Sequence, residues 1–263
     1  MRMKNTSCAF SIAVLVLLFH TRCITPAVAE EASSRWQNDD LSFGATTVVA
    51  SRNVFRGAER SGAAWQAGLD GALYGWRGHL WYSDPFKSDE PGEFRSSLGY
   101  VWALTKTVTV EASGTHFWYI DGYVKGAASH SFESDLRLNW DIGGGLRFGL
   151  ETSYDIRLRS LGIEVSTSYD IALKSWGAFL ECRLYGGNLD GKDVLPDTTS
   201  ETTRDAYTYW GAEVRLPYRI GAHTTIVAEV HVVETLGQNS AWSPLREGSG
   251  TRAWFALEAS YGF

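Results

Sequence analysis

Thirteen carboxylates recur on alternating positions through this chain: Asp70, Glu93, Glu111, Glu133, Asp135, Glu151, Asp155, Glu164, Asp170, Glu181, Glu213, Glu229 and Glu258. Six arginines share their parity, namely Arg77, Arg95, Arg137, Arg147, Arg183 and Arg215, with His79 and His231. Apolar or aromatic residues alternate with them. In Ser131–Asp141, Phe132, Leu136, Leu138 and Trp140 interleave with Glu133, Asp135, Arg137, Asn139 and Asp141. A period of two puts the charges on one face of a β-strand and the apolar groups on the other. Carboxylates and guanidiniums turned toward an enclosed middle would make a wet wall that attracts cations or hydrogen-bonds polar solutes. The candidate lining residues are Asp70, Arg77, Arg95, Glu111, Glu133, Asp135, Arg137, Arg147, Glu151, Arg183, Arg215 and Glu229. The same groups could instead pair across the interior and fill it.

Other chemistries fit less well. A lipid hydrolase on a barrel needs a serine beside a histidine that a polar residue orients, on the lipid-facing side. His116 has the right parity, but its neighbours are Phe117, Trp118 and Tyr119. His79 and His231 could meet a serine, but on the enclosed face, where lipid does not enter. No catalytic residue is assigned. Asn188-Leu-Asp-Gly-Lys-Asp193 suggests an oxygen-ligand calcium turn but lacks the terminal bidentate Glu, so it reads as a solvated acidic loop. No metal and no cofactor is expected.

Twelve alternating stretches would position the charges: Leu41–Ser51, Ala63–Leu73, Trp76–Ser83, Glu93–Leu104, Lys106–Trp118, Ser131–Asp141, Gly145–Asp155, Leu161–Asp170, Trp176–Tyr185, Tyr207–Leu216, His223–Val233 and Thr251–Phe263. The last ends on an aromatic ring, which suits a membrane–water boundary. Connections after the even-numbered stretches are short, such as Tyr74-Gly75. Those after the odd-numbered ones are long, except the link 156–160 after the seventh. This alternation, with an even strand number, predicts an all-β, transmembrane up-and-down antiparallel β-barrel of about twelve strands with periplasmic termini. A soluble sandwich gives no reason for it. The faces cannot be exchanged, because a charge at bilayer mid-depth on the lipid side costs roughly 2–4 kcal/mol. A local echo, Thr152–Ile156 against Thr167–Ile171, is too short to define a repeat.

Composition agrees. Glycine is abundant at 27 and proline scarce at 6, with 11 Trp, 12 Tyr and 12 Phe among 263 residues. Long strands with aromatic girdles have this make-up. Residues 1–29 read as a cleaved signal peptide: Arg2 and Lys4, the apolar run Ala9–Phe19, then Ala27-Val28-Ala29. Residues 30–40 read as a short periplasmic lead and 41–263 as the barrel. Cleavage removes Arg2, Lys4 and Arg22 and no acid, taking the formal charge from −6 to −9. Cys8 and Cys23 leave too, so Cys182 has no disulfide partner. The acidic balance and the lack of a basic stripe exclude nucleic acid as a partner. The expected partners are outer-membrane lipid, lipopolysaccharide and small polar solutes, with oligomeric state undetermined.

The first two stretches carry a family likeness. Val49-Ala-Ser-Arg-Asn-Val-Phe-Arg-Gly57, followed by Trp65-Gln-Ala-Gly-Leu-Asp70 and Trp81, resembles the opening of the TorF-like family of short bacterial outer-membrane porins, with Asn53 where the family carries an aromatic. The resemblance implies an outer-membrane barrel of unassigned substrate and supplies no catalytic residues. Within it, Arg56-Gly57 reads as the mouth of the first hairpin, with Arg56 available to an inward acid or to loop anchoring. The expected function is a porin-like channel for small polar or weakly cationic solutes. The competing reading is a closed barrel that scaffolds or anchors envelope proteins through its loops.

Overall fold

The computed structural model describes residues 41–120, 129–157, 159–173, 178–192, 204–237 and 250–262. The expected signal peptide, the lead 30–40, Trp176 and the terminal Phe263 lie outside them. Fourteen strands follow one another: β1 Ser42–Ala50, β2 Asn53–Phe55, β3 Ala58–Ser61, β4 Ala64–Leu73, β5 Trp76–Pro85, β6 Gly92–Ala103, β7 Val108–Ile120, β8 His130–Gly143, β9 Leu146–Asp155, β10 Ser160–Leu173, β11 Ala178–Lys192, β12 Arg204–Ile220, β13 Thr224–Gly237 and β14 Gly250–Gly262. Twelve of them, β1 and β4 to β14, form one closed antiparallel barrel, and β2 with β3 forms a separate two-stranded sheet. Closure comes from β1, which pairs with β4 from Ser42↔Ala72 to Ala50↔Ala64 and with β14 from Gly44↔Gly262 to Ala50↔Ala256. No strand edge of the barrel is left unpaired.

The alternation in sequence becomes an inside-out distribution of polarity. Leu98, Leu136, Leu184, Val230 and Leu257 are exposed on the outer surface, whereas Glu93, Glu133, Ser153, Asp155 and Arg252 are buried within. Outward aromatics gather at both rims. Trp65, Trp118, Phe132, Tyr154, Trp210 and Phe255 lie toward the long-loop end, and Trp76, Trp102, Trp140, Tyr169, Tyr218 and Tyr261 toward the short-turn end. Such amphipathic rings suit the boundary between an apolar slab and water. The short turns follow local chemistry. Tyr74 and Gly75, at φ 48° and 84°, make the two-residue left-handed turn that matches strand twist.

All twelve expected stretches are barrel strands, but two connections differ from expectation. Residues 186–206 are not one loop. β11 runs on to Lys192 and pairs with β12 through Lys192↔Arg204. Gly186-Gly187 reads as loop punctuation, yet it keeps the strand register. A Cβ at Gly187 would lie 2.6 Å from the hydroxyl of Tyr209, so glycine lets that ring cross the wall. The supposed calcium turn is therefore extended strand as far as Lys192, with Asn188 donating to the carbonyl of Tyr207 at 3.2 Å, and Asp193 lies outside the described residues.

The second correction is larger. The connection after β1 is not a surface loop but the hairpin β2–β3, folded into the barrel. Its turn is Arg56-Gly57, both left-handed at φ 48° and 77°. Asn53, Ala58, Glu59, Arg60 and Ser61 are all buried. Gly57 is required twice over, by its φ and by proximity, because a Cβ there would sit 2.7 Å from Cβ of Tyr209 on β12.

Candidate functional site

The barrel interior has two parts. At the short-turn end a vestibule of about 1220 Å³ opens between Tyr74, Thr105, Lys106, Asp141 and the inner wall. Six basic side chains, Arg77, Lys106, Arg137, Arg147, Arg183 and Arg215, line it beside five acids, Asp141, Glu151, Glu164, Glu181 and Glu213. Glu111, Asp170, Glu229 and Glu258 pair with these arginines from the same inner wall, so acids outnumber bases around the vestibule.

Ion pairs run along its wall rather than across it. Arg147 on β9 meets Asp170 on β10 at 2.7 Å and Glu181 on β11 at 2.9 Å. Arg183 meets Glu164 at 2.8 Å and Glu213 at 3.6 Å on its two neighbouring strands. Arg215 gathers Glu229 at 2.8 Å, Glu181 and Glu258 at 3.4 Å and Glu213 at 3.5 Å. Arg137 binds Glu151 at 2.6 Å through two guanidinium nitrogens. Arg77 on β5 reaches Glu111 on β7 at 3.4 Å, passing over Gly99, which has no side chain to block it. His79 faces Asp70 at 3.6 Å. Side chains paired with strands one or two places along lie against the wall, and the vestibule stays open between them. Of the two arrangements open to these groups, pairing along the wall is the one the described residues adopt.

The obstruction comes instead from the hairpin, at the long-loop end. Arg56 projects from its turn to Glu133 at 2.6 Å and Asp135 at 3.2 Å on β8, and to Glu151 at 2.7 Å on β9. Tyr207 on β12 donates to the carbonyl of Arg56 at 2.9 Å, and Thr235 on β13 to that of Gly57 at 3.0 Å. Glu59 meets Arg252 on β14 at 3.5 Å and Arg52 at 3.3 Å. Asn53 donates to Ser83 on β5 at 3.2 Å, and Glu90 accepts from the backbone N–H of Gly62 at 2.6 Å. The guanidinium groups of Arg56, Arg60 and Arg95 surround the ring of Phe55, with centroid distances of 4.8, 5.4 and 4.5 Å. Arg95 also pairs with Glu93. Phe55 packs on Phe117, and Ala58 on Leu189, Tyr207, Tyr209 and Val233. The gap left between Phe55, Arg56, Arg60 and the wall is about 10 Å³, room for about one water. Burial opposes the charge on Arg56, but Glu133 and Glu151 more than offset it and hold its pKa well above the ordinary guanidinium value.

Eleven of the twelve candidate lining residues therefore have ionic partners and Asp70 faces His79, and the twelve fall in two groups. Arg95, Glu133, Asp135 and Glu151 belong to the constriction, with Glu151 shared between both. Asp70, Arg77, Glu111, Arg137, Arg147, Arg183, Arg215 and Glu229 belong to the wall of the lower barrel. Sequence reading missed Glu59, Arg60, Tyr207, Thr235 and Arg252, which fasten the hairpin. A signal was available. The first connection carries Arg52, Arg56 and Arg60 against the lone acid Glu59, a basic insert in a chain whose inward strand positions hold twice as many acids as arginines.

His116 has its own neighbour on the outer face. His130 lies 3.2 Å away, nitrogen to nitrogen, with the rings stacked. The pair adjoins Trp118 in the aromatic rim.

Comparison with known proteins bears on the fold. No protein-family model matches the chain, and no curated protein matches it. Among solved structures it is similar to the NanC porin, at a TM-score of 0.53 and 11% identity, over 82% of this chain and 98% of that one. The KdgM porin in complex with disordered oligogalacturonate aligns at a TM-score of 0.49 and 9% identity, over 84% of this chain and 99% of that one. The chain is a closed twelve-stranded antiparallel β-barrel with the architecture of outer-membrane porins.

Proposed function

We propose that this chain is an outer-membrane channel admitting small polar solutes, uncharged or weakly cationic, through its charged interior. The observation that carries the reading is the combination of an apolar, aromatic-rimmed outer surface with a vestibule of about 1220 Å³ lined by charged side chains. Such an outer face is stable against lipid, and a bilayer admits strands only in a closed barrel. The vestibule exceeds the roughly 300–1,000 Å³ of a typical small-molecule pocket, so solutes of sugar size fit it. The cleaved leader 1–29, contact with lipopolysaccharide at the long-loop rim and kinship with the TorF-like porins belong to the same proposal.

A second reading has a specific observation behind it. The hairpin packs tightly enough to close the long-loop end, as a barrel that only anchors or scaffolds envelope proteins would require. Liposome swelling with sugars of graded size separates the two. The expected outcome is uptake with a size cut-off, rising when residues 53–61 are replaced by a short Gly-Ser linker. Impermeability of both forms rejects the channel and supports the scaffold.

A further inference from the structure

We propose that Arg56 determines charge selectivity, by masking the carboxylates of Glu133, Asp135 and Glu151 at the narrowest part of the path. The inference rests on the channel reading above. In the wide vestibule every lining arginine is already paired with wall acids, so the sign of a solute is read most strongly where the interior is tightest.

Three features of Arg56 fit this role. It is the turn residue of a hairpin, so its backbone is not part of the wall, while its side chain meets acids on two wall strands. Those acids are not equally provided for without it. Glu151 retains the bidentate guanidinium of Arg137 at 2.6 Å, whereas Asp135 accepts from the hydroxyl of Thr115 at a longer 3.5 Å. The cation that faces Glu133 at hydrogen-bond distance is Arg56 itself. Finally, the guanidinium is held by geometry as well as charge. The carbonyls on either side of the turn accept from Tyr207 and Thr235, fixing the height at which Arg56 enters the lumen.

Loss of one positive charge a few ångströms from a permeating ion favours cations and disfavours anions together. Coulomb's law at near-aqueous screening makes that roughly a three- to tenfold change in permeability ratio. The direction is the same whether the hairpin stays or swings away, since either event bares the carboxylates.

The experiment is reversal potential in planar bilayers under a KCl gradient, using full-length barrels whose closure is first verified by heat-modifiable gel migration. Arg56→Gln is expected to raise the cation-to-anion permeability ratio roughly three- to tenfold. Arg56→Lys should keep the wild-type ratio, and the double variant Glu133→Gln, Asp135→Asn should move it toward anions. A merely structural role would not give opposite signs for the two sides of the pair. Should the wild type be silent and Arg56→Gln conduct with cation preference, the proposal also stands, with Arg56 then holding the path shut. A conducting wild type whose ratio is unchanged in Arg56→Gln overturns it. So does conduction by the 53–61 linker variant when wild type and Arg56→Gln are both silent. Silence of all three rejects the channel reading itself, which is a distinct result.

Discussion

Gly57 shows how much of this interior depends on single atoms. Its φ of 77° is costly for any residue with a Cβ, and a methyl group there would meet Tyr209 at 2.7 Å, inside contact distance. Both effects act on the turn that presents Arg56. Gly57→Ala should destabilise the barrel by about 2 kcal/mol, or displace the hairpin without unfolding it. The midpoint of denaturant unfolding in lipid vesicles measures the first, and increased sugar uptake in swelling assays the second. Gly78→Ala is the matched control, because its Cβ would meet nothing within 4 Å and its backbone is ordinary for a strand. No change is expected there.

At the scale of the element, each barrel strand is two chemical surfaces joined by one backbone. In β8, Leu136 and Leu138 stand outside while Asp135, Arg137 and Asn139 stand inside, one residue apart. Leu136→Arg would place a charge at mid-depth against lipid and should cost about 2–4 kcal/mol in unfolding from vesicles. Asn139→Arg, facing the vestibule and its acids, should cost less than 1 kcal/mol. Equal losses at the two sites would contradict the assignment of faces. The hairpin β2–β3 is a different kind of element. It spans nothing, and fastens to β5, β8, β12, β13 and β14 through side chains. Such an element can leave without breaking any barrel ladder, whereas removal of a wall strand cannot be tolerated.

For the whole molecule, the alternation of short turns and long connections supports an orientation that can be tested. On the proposed placement, with the termini in the periplasm, Tyr74 would face the periplasm and Phe86, on the β5–β6 connection, the outside. In a Cys182→Ser background, a membrane-impermeant maleimide added to intact cells should label Phe86→Cys and leave Tyr74→Cys unreacted. The reverse labelling would invert the barrel.

Much of this architecture could be read from the chain. Strand parity in Ser131–Asp141 or Thr251–Phe263 depends only on the sequence period, because a pleated backbone sends neighbours to opposite faces wherever it lies. Hydropathy then decides which face meets lipid. The sequence by itself therefore determined the twelve strands, their register of polar and apolar faces and the turn at Tyr74-Gly75. It could not place residues 51–63, since Arg-Asn-Val-Phe-Arg-Gly has the polarity of a surface loop, and its excess of arginine points to acidic partners without saying which. That depended on partners 77 to 195 residues away, Glu133 and Glu151 for Arg56, and Thr235 and Arg252 for Gly57. Likewise the arginines could have paired across the middle or along the wall. Only closure of the barrel, which fixes which strands are neighbours, put Arg147 beside Asp170 and Glu181 and left the vestibule open. Periodicity is a property of a single strand and survives in the sequence; contacts between distant strands exist only once the barrel has closed.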